Sequence, residues 1–166
     1  MTPPPAPRRT AGLTLIEVVI GLAVMALLLS LALPSFGGHM SRQRLKSAAS
    51  TLAIDLAEAR FEAAQRGQTL YVNLAEGNDW CYALTTTSGC DCRLVQACRL
   101  KAVSARDTPG LTLAAAPEIA FAPEGRGAAA SLQFASARGE RLRVDLSALG
   151  RARVCAPDGL AGFTRC

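Results

Sequence analysis

The sequence predicts an α+β protein: a long N-terminal α-helix, transmembrane in its first half, packed on a C-terminal head of antiparallel β-strands in one sheet or two. Two observations predict this class. An apolar run is followed by a second stretch of helical periodicity, and after Gly67 the pattern changes to short β-rich segments separated by turns. We expect three parts: a cleaved leader over 1–12, a transmembrane helix and hinge over 13–39, and a globular head over 40–166.

The transmembrane half of the helix is predicted from the run Leu13 to Leu33, in which Glu17 is the only charge. About 20 apolar residues suffice to cross a bilayer. A carboxylate inside such a run costs roughly 3 kcal/mol in hydrocarbon, so Glu17 should have a positive partner or a function. Arg8 and Arg9 precede the run and should hold the N-terminus in the cytoplasm, which places the rest of the chain in the periplasm.

The helix should be interrupted where the apolar run ends, because Pro34 and the pair Gly37-Gly38 favour a kink or a locally melted stretch. Helical periodicity then resumes at Ser41 and ends at Arg66, with Gly67 as a left-handed C-cap. One face of this second half is apolar and alanine-rich, which suits close packing on a sheet. The apolar face consists of Leu45, Ala49, Leu52, Leu56, Ala59 and Ala63, and the opposite face carries Arg44, Lys46, Asp55, Glu58 and Glu62.

Seven or eight short strands are predicted after the helix, each rich in β-branched or alternating apolar residues and bounded by turn residues. Short antiparallel strands that follow one long helix favour two small sheets behind that helix. The strand segments are 69–74, 80–84, 100–103, 111–113, 118–122, 131–134, 140–146 and 151–155.

Six cysteines in 166 residues indicate an oxidising compartment and disulfide bonds. Cys155 and Cys166 should pair, because a short terminal tail gains most from being pinned; such a bond stabilises by about 3 kcal/mol. Cys81 should pair with one of the three cysteines between residues 85 and 98, and we name Cys98 as a disulfide residue beside it.

Catalytic and cofactor chemistry is not expected. His39 is the only histidine, and Gly125-Arg126-Gly127 lacks the strand–loop–helix setting and the following Lys-Ser/Thr of a phosphate-binding loop. A metal site built from Cys90, Cys92 and Cys98 is the less favoured alternative, because zinc sites usually show Cys-x-x-Cys spacing and four ligands. We therefore expect neither enzymatic activity nor a cofactor.

The N-terminal order of residues resembles the class III signal of type IV pilins and pseudopilins: a basic leader, Gly12, then Leu13-Thr14-Leu15-Ile16-Glu17 and an unbroken apolar run. A secretory signal would place its small-residue cleavage site after the apolar region. The resemblance implies that a prepilin peptidase cuts between Gly12 and Leu13 and methylates the new N-terminus. It also implies that Glu17 neutralises the N-terminal amine of a neighbouring subunit during assembly. Leu13 departs from the family, in which Phe is usual; the alternative is an ordinary membrane anchor.

The rest of the chain resembles the FimT/GspH family of minor pilins and pseudopilins. The resemblance rests on Ala59-Arg60 with Glu62-Ala63, on Phe121-Ala122-Pro123 with Gly125, and on a late Gly-Arg element. It implies a pilin-like fold and other major and minor pilins as partners. It also implies single-pass residence in the inner membrane, with the N-terminus inside, before assembly into a filament in the periplasm or at the cell surface.

The last two predicted strands are the candidate functional stretch, because they carry four arginines. Side chains alternate between the faces of a strand, so four arginines should share one exposed face with Asp145 as its only carboxylate. Arginine presents a planar fork of donors that matches phosphate oxygens, which predicts salt-sensitive binding to a phosphate backbone without base specificity. The candidate DNA-binding residues are Arg141, Arg143, Arg151 and Arg153, with Gly150 in the turn, Arg138 and Arg165 nearby, and Arg126 as a further loop arginine.

FimT-like minor pilins that take up DNA carry a Gly-Arg-x-Arg element, and Gly150-Arg151-Ala152-Arg153 matches it. The resemblance implies DNA as a partner and a role in natural transformation, or competence. The formal charge of +5 permits this role without establishing it. Three alternatives remain: a solvated strand face whose arginines pair with Glu140, Asp145 and Asp158, a structural minor pilin that primes pilus assembly, and a GspH-like pseudopilin of a type II secretion system.

Overall fold

The computed structural model of the chain describes residues 14–94, 99–115 and 118–166. The chain divides into two units after Gly38, and the second unit, His39–Cys166, is called the head below. The core residues of the head, from Leu45 to Phe163, all belong to this unit. The head therefore has a complete hydrophobic core of its own.

Helix α1 spans Leu15–Arg66, so the predicted locally melted stretch at Pro34 and Gly37-Gly38 is wrong, whereas a kink there stays a prediction. A proline inside a helix costs about 3 kcal/mol and a glycine about 1 kcal/mol relative to alanine. One proline removes only one helical hydrogen bond, however, and long helical stretches flank it on both sides. Among the described residues, no helix combines the length and the apolar character that crossing a membrane requires.

The second half of α1 packs into the head with the predicted apolar face, and every residue of that face is fully buried. Gly67 ends the helix with a φ of 63°, as the predicted left-handed C-cap. Asp55, expected opposite the apolar face, is instead only 1% exposed. The reason is that Tyr82 and Lys101 reach its carboxylate from the strands.

Eight strands follow α1 in the described part of the chain and form two antiparallel sheets of four strands. They are β1 (Leu70–Ala75), β2 (Cys81–Thr85), β3 (Arg99–Ser104), β4 (Leu111–Ala114), β5 (Glu118–Phe121), β6 (Ala130–Ser136), β7 (Arg141–Leu146) and β8 (Ala152–Cys155). The first sheet has the order β3-β2-β1-β5 and the second β4-β6-β7-β8. The predicted α+β fold, with a helix packed on two small sheets, is confirmed.

Aromatic side chains fill the core between the helix and the two sheets. Trp80 and Tyr82 stack with their ring centroids 6.3 Å apart, and Phe134 meets Trp80 edge-on at 5.0 Å. All three rings are at most 1% exposed. They stabilise the fold and are not accessible for stacking on a ligand at the surface.

Candidate functional site

The arginine hairpin, residues 141–155, consists of β7, β8 and the turn between them. Its strands pair antiparallel, with Val144 opposite Val154 and Asp145 opposite Arg153. Buried residues alternate with exposed or half-buried ones along β7, which places the polar side chains on one face. β8 is an edge strand of its sheet, and the C-terminal tail covers the end of this edge, where Ala156 pairs with Arg165. The rest of the edge is open to solvent or to a partner.

Two of the four hairpin arginines are paired with carboxylates. Arg141 donates two hydrogen bonds of 2.8 Å to Asp158 in the C-terminal tail, and they lower the pKa of the Asp158 carboxyl below its ordinary value. Arg143 contacts Asp145 on its own strand at 3.0 Å. The expectation that Asp145 alone offsets four free guanidinium groups is therefore wrong. The alternative in which the arginines pair with carboxylates holds for Arg141 and Arg143, whereas Glu140 pairs with Arg42.

Arg151 and Arg153 keep their charges free of carboxylates. Both are exposed, and neither forms an ion pair with any residue that the structure describes. Arg153 donates a hydrogen bond of 3.3 Å to the neutral hydroxyl of Thr164. The backbone N–H of Arg151 donates to the Ser147 hydroxyl at 3.2 Å. A neutral partner positions a guanidinium without cancelling its charge, so this pair can still bind an anion.

Arg60 packs against Gly150 in the hairpin turn. No function of this helix residue was predicted from the sequence. The φ of Gly150 is 71°, and an added Cβ would lie 2.6 Å from the Gly125 carbonyl oxygen and 2.8 Å from Cδ of Arg60. Arg60 donates a hydrogen bond of 3.0 Å to that same carbonyl. Arg60 thereby links the turn around Gly125 to α1 by a hydrogen bond, and the hairpin turn packs against both. The sequence signal for this contact is the position of Arg60, directly beside the alanine-rich helix face. A half-buried guanidinium there must find a hydrogen-bond acceptor.

The remaining candidate arginines lie on loops around the hairpin. Arg138 is exposed in the turn between β6 and β7. Arg165 is exposed in the tail and packs over Gly159, with Nε 3.3 Å from the position of a Cβ there. Arg126 is exposed in a turn that adjoins the hairpin turn, because the Gly127 N–H donates to the carbonyl of residue 148 at 3.4 Å.

The C-terminal tail is fixed to β8 by the predicted bond between Cys155 and Cys166. This bond holds the loop that contains Asp158 and Thr164, the partners of two hairpin arginines. Side-chain atoms of Asp145, Cys155 and Cys166 lie within 4.8 Å of one another. Since the two sulfurs are bonded to each other, they offer no thiolate to a metal ion.

The second described disulfide joins Cys81 to Cys92, with their Cα atoms 5.8 Å apart. Cys98, which the sequence analysis named beside Cys81, lies outside the described residues. Cys90 is also disulfide-bonded. Disulfide bonds at Cys90 and Cys92 remove the thiolates on which the alternative metal site depends.

The N-terminal candidates lie at the start of α1 or ahead of it. Glu17 is exposed in the first turn, and its backbone N–H donates to the hydroxyl of Thr14 at 3.4 Å, which caps the helix. Gly12 and Leu13 lie outside the described residues. Large apolar side chains from Leu15 to Leu29 are between 48% and 84% exposed. A surface of this kind needs lipid or another chain to cover it.

Comparison with solved structures places the fold among pilin-like subunits. The type IV minor pilin FimU of Pseudomonas aeruginosa aligns with a TM-score of 0.56 at 19% identity, over 69% of this chain and 98% of FimU. The minor pseudopilin EpsH of the Vibrio cholerae Type 2 Secretion System aligns with a TM-score of 0.55 at 17% identity, over 70% of this chain and 99% of EpsH. At such identities the likeness is one of fold. A search of curated proteins found no match.

Two family models match the sequence. The prokaryotic N-terminal methylation motif matches residues 7–33, and the Type II transport protein GspH model matches residues 48–150. Because the second match covers more than half of the chain, the chain belongs to the GspH family. It is a minor pilin or pseudopilin of a type IV pilus or a type II secretion system. The methylation motif implies membrane anchoring followed by assembly into a filament.

Proposed function

We propose that this chain is a minor type IV pilin whose head binds DNA without sequence preference, as a receptor for DNA uptake in natural transformation. The observation that carries the proposal is the pair Arg151 and Arg153, exposed at an open sheet edge and free of carboxylate partners within the described residues. Arg126 lies in the turn that adjoins the hairpin turn, and Arg165 follows Thr164, the partner of Arg153; Arg138 lies at the other end of β7.

The geometry of the pair suits a phosphate backbone. Arg151 directly precedes β8 and Arg153 lies on it. Residues two apart in extended backbone lie roughly 7 Å apart, so the two guanidinium groups can each bind a separate phosphate. The Arg60 contacts fix the turn that precedes Arg151, and a fixed turn loses less conformational entropy when it binds. Trp80 and Tyr82 are buried and cannot stack on bases, and contacts from arginines to phosphates read charge and not sequence.

DNA binding by the oxidised head tests the proposal. Titrating the head against labelled duplexes of unrelated sequence should give non-specific dissociation constants, on the order of 10⁻⁴ to 10⁻⁶ M at physiological salt. The double variant Arg151→Ala/Arg153→Ala should weaken binding to every duplex by a similar factor, since no base is read. The readout is fluorescence anisotropy, with the fold of each variant checked by circular dichroism.

A charge-matched control separates this site from general electrostatics. Arg93→Ala/Arg106→Ala removes the same charge from two exposed residues that line a different cavity, beside the disulfide of Cys81 and Cys92. It should weaken binding far less than the hairpin variant. Equal losses in the two double variants, or normal binding after Arg151 and Arg153 are removed, would contradict the assignment.

Assembly depends on the N-terminal segment. In this proposal the chain resides in the inner membrane as a single-pass protein with its N-terminus inside, and a prepilin peptidase cuts between Gly12 and Leu13. Glu17 then neutralises the new N-terminal amine of a neighbouring major or minor pilin. The methylation-motif match and the exposed apolar run support this order.

Glu17→Gln should abolish or strongly reduce incorporation into filaments, because it keeps the size of the side chain and removes its charge. Immunoblots of sheared filaments measure incorporation, and the mass of the mature chain shows whether cleavage occurred. Thr14→Ala is the control, since it removes only the cap of the same helix turn. Normal incorporation of a cleaved Glu17→Gln subunit would rule out this role.

A structural subunit of a secretion pseudopilus is the second candidate, favoured by the description of the matching family. In that case Arg151 and Arg153 contact neighbouring subunits. Their replacement would impair filament assembly or secretion while the head, with or without them, showed no affinity for DNA.

A further inference from the structure

A second cationic surface lies where the head begins. Between Glu17 and Asp55 the sequence contains no carboxylate, yet several basic residues follow Gly38. A cavity of about 370 Å³ opens between this part of α1 and the C-terminal tail, and we call it the junction cavity. Its lining comprises His39, Arg42, Gln43, Lys46 and the tail residues 159–161.

Lys46 is the cation in the cavity lining that forms no ion pair with any described residue. Its Nζ donates a hydrogen bond of 3.0 Å to the Ala161 carbonyl and lies 5.8 Å from the centre of the Phe163 ring. An ammonium group has three donors, so two remain available. Arg42 is paired with Glu140, and this pair contributes little net charge to the cavity wall. Lys46 therefore dominates the positive potential of the cavity.

The sequence keeps this cavity near the membrane surface while the chain is anchored. The methylation motif and the apolar run both end at Leu33, and His39 follows six residues later. Six residues span at most about 20 Å even when fully extended, and the seven helical residues from His39 to Lys46 add about 10 Å. The anion present at highest density within that distance of a bilayer core is the phosphate of the lipid headgroups.

We propose that the junction cavity binds the phosphate headgroup of an anionic phospholipid, with Lys46 as its principal contact, while the subunit resides in the membrane. The tail residues form the neutral wall, which the bond between Cys155 and Cys166 fixes in place. The inference rests on membrane anchoring and is independent of DNA binding by the arginine hairpin. Departure of the subunit into a filament would require the headgroup to be released.

Vesicle flotation of the oxidised head, His39–Cys166, tests this site, because the head contains its complete core. The head should float with vesicles of phosphatidylcholine mixed with phosphatidylglycerol and not with phosphatidylcholine alone. Lys46→Gln should lower the partition coefficient by more than about fivefold, because a direct headgroup contact adds to the loss expected for any one cation near an anionic surface. Glutamine can still donate to the Ala161 carbonyl, so the tail contact is kept.

Arg44→Gln is the matched control. Arg44 lies on the same helix and carries the same charge, but it is exposed outside the cavity and makes one long hydrogen bond of 3.4 Å to the Pro109 carbonyl. It should reduce flotation much less than Lys46→Gln. Equal reductions would show a diffuse charge effect and overturn the site, as would normal flotation of Lys46→Gln.

Two further measurements identify the source of the anion. Calorimetric titration with inorganic phosphate should show no Lys46-dependent binding; such binding without flotation would replace the lipid site by a free-anion site. Lys46→Gln should retain DNA affinity, and Arg151→Ala/Arg153→Ala should retain flotation. Loss of DNA binding in Lys46→Gln would make the cavity part of the DNA surface and overturn the proposal, whereas failure of DNA binding in the intact head would leave the flotation result unaffected.

Discussion

Asp55 is the residue at which polar groups of the helix and the first sheet meet. Its buried carboxylate accepts hydrogen bonds from the Tyr82 hydroxyl at 2.8 Å and from Lys101 Nζ at 2.7 Å. Lys101 also contacts Glu58 at 3.0 Å. A buried charge is tolerated only when it is paired and hydrogen-bonded, so these contacts are what allow Asp55 to lie inside the head.

The same contacts change the pKa values of the partners. Burial raises the pKa of the Tyr82 phenol far above its ordinary value near 10.0, and the Asp55 carboxylate raises it further. Hydrogen bonds to Asp55 and to Glu58 raise the pKa of Lys101. Both residues therefore hold their protons more tightly in the folded head than in the unfolded chain.

The stability of the head should fall at alkaline pH. A group whose pKa is raised on folding contributes stability that is complete below its unfolded pKa and is lost as pH rises, so for Tyr82 the loss begins near pH 10.0. The raised pKa of Lys101 adds a loss in the same direction. Urea unfolding near neutral pH and above pH 10.0 should show the decrease, and Tyr82→Phe should show a smaller one. Parallel decreases in the two proteins would assign the effect to other groups.

At the scale of elements, regular patterns were predictable and long-range polar contacts were not. The alanine-rich helix face and all strand segments follow from periodicity and turn residues, because these signals are local. The strand segments 118–122 and 131–134, for example, became Glu118–Phe121 and Ala130–Ser136. The continuity of α1 through Pro34 was missed, because residue preferences there oppose the state that the whole helix adopts.

Only the part of the site that depends on the alternation of side chains along a strand was predictable from the sequence. Alternation predicts which hairpin arginines share a face. Asp158 was foreseen as a possible partner, but its pairing with Arg141 depends on where a tail seventeen residues later folds back. The contact of Arg60 with Gly125 joins residues that are 65 positions apart. Contacts between residues so far apart in the sequence follow from the tertiary fold and leave no periodic pattern in the sequence.

Gly150→Ala should destabilise the head more than the same change at Gly139. Both glycines have a positive φ, 71° and 83°, which costs alanine roughly 1–2 kcal/mol. Gly139 has nothing within 4 Å of an added Cβ, whereas Gly150 has the Gly125 carbonyl at 2.6 Å. Overpacking should add roughly 1–3 kcal/mol at Gly150. Urea unfolding measures both variants, and equal losses would show that the Arg60 contacts do not constrain the turn.

In the whole molecule, exposed apolar surface and positive charge lie in different parts of the chain. The run from Leu15 to Leu29 presents apolar side chains that suit lipid or the interior of a filament. The head is basic, with all cations except Lys46 and Lys101 being arginine. Basic residues without an ion-pair partner in the described part of the head include Arg151 and Arg153 in the arginine hairpin and Lys46 in the junction cavity, and also Arg44, Arg93 and Arg106 elsewhere.

The salt dependence of DNA binding is the decisive measurement for the arginine hairpin, because each phosphate contact contributes about 0.9 to the slope of log affinity against log salt. We expect the slope of the intact head to fall by roughly two in Arg151→Ala/Arg153→Ala and to stay unchanged in Arg93→Ala/Arg106→Ala. An identical slope in the intact head and the hairpin variant would show that Arg151 and Arg153 touch no phosphate. The chain would then be a filament subunit without a DNA site at this hairpin.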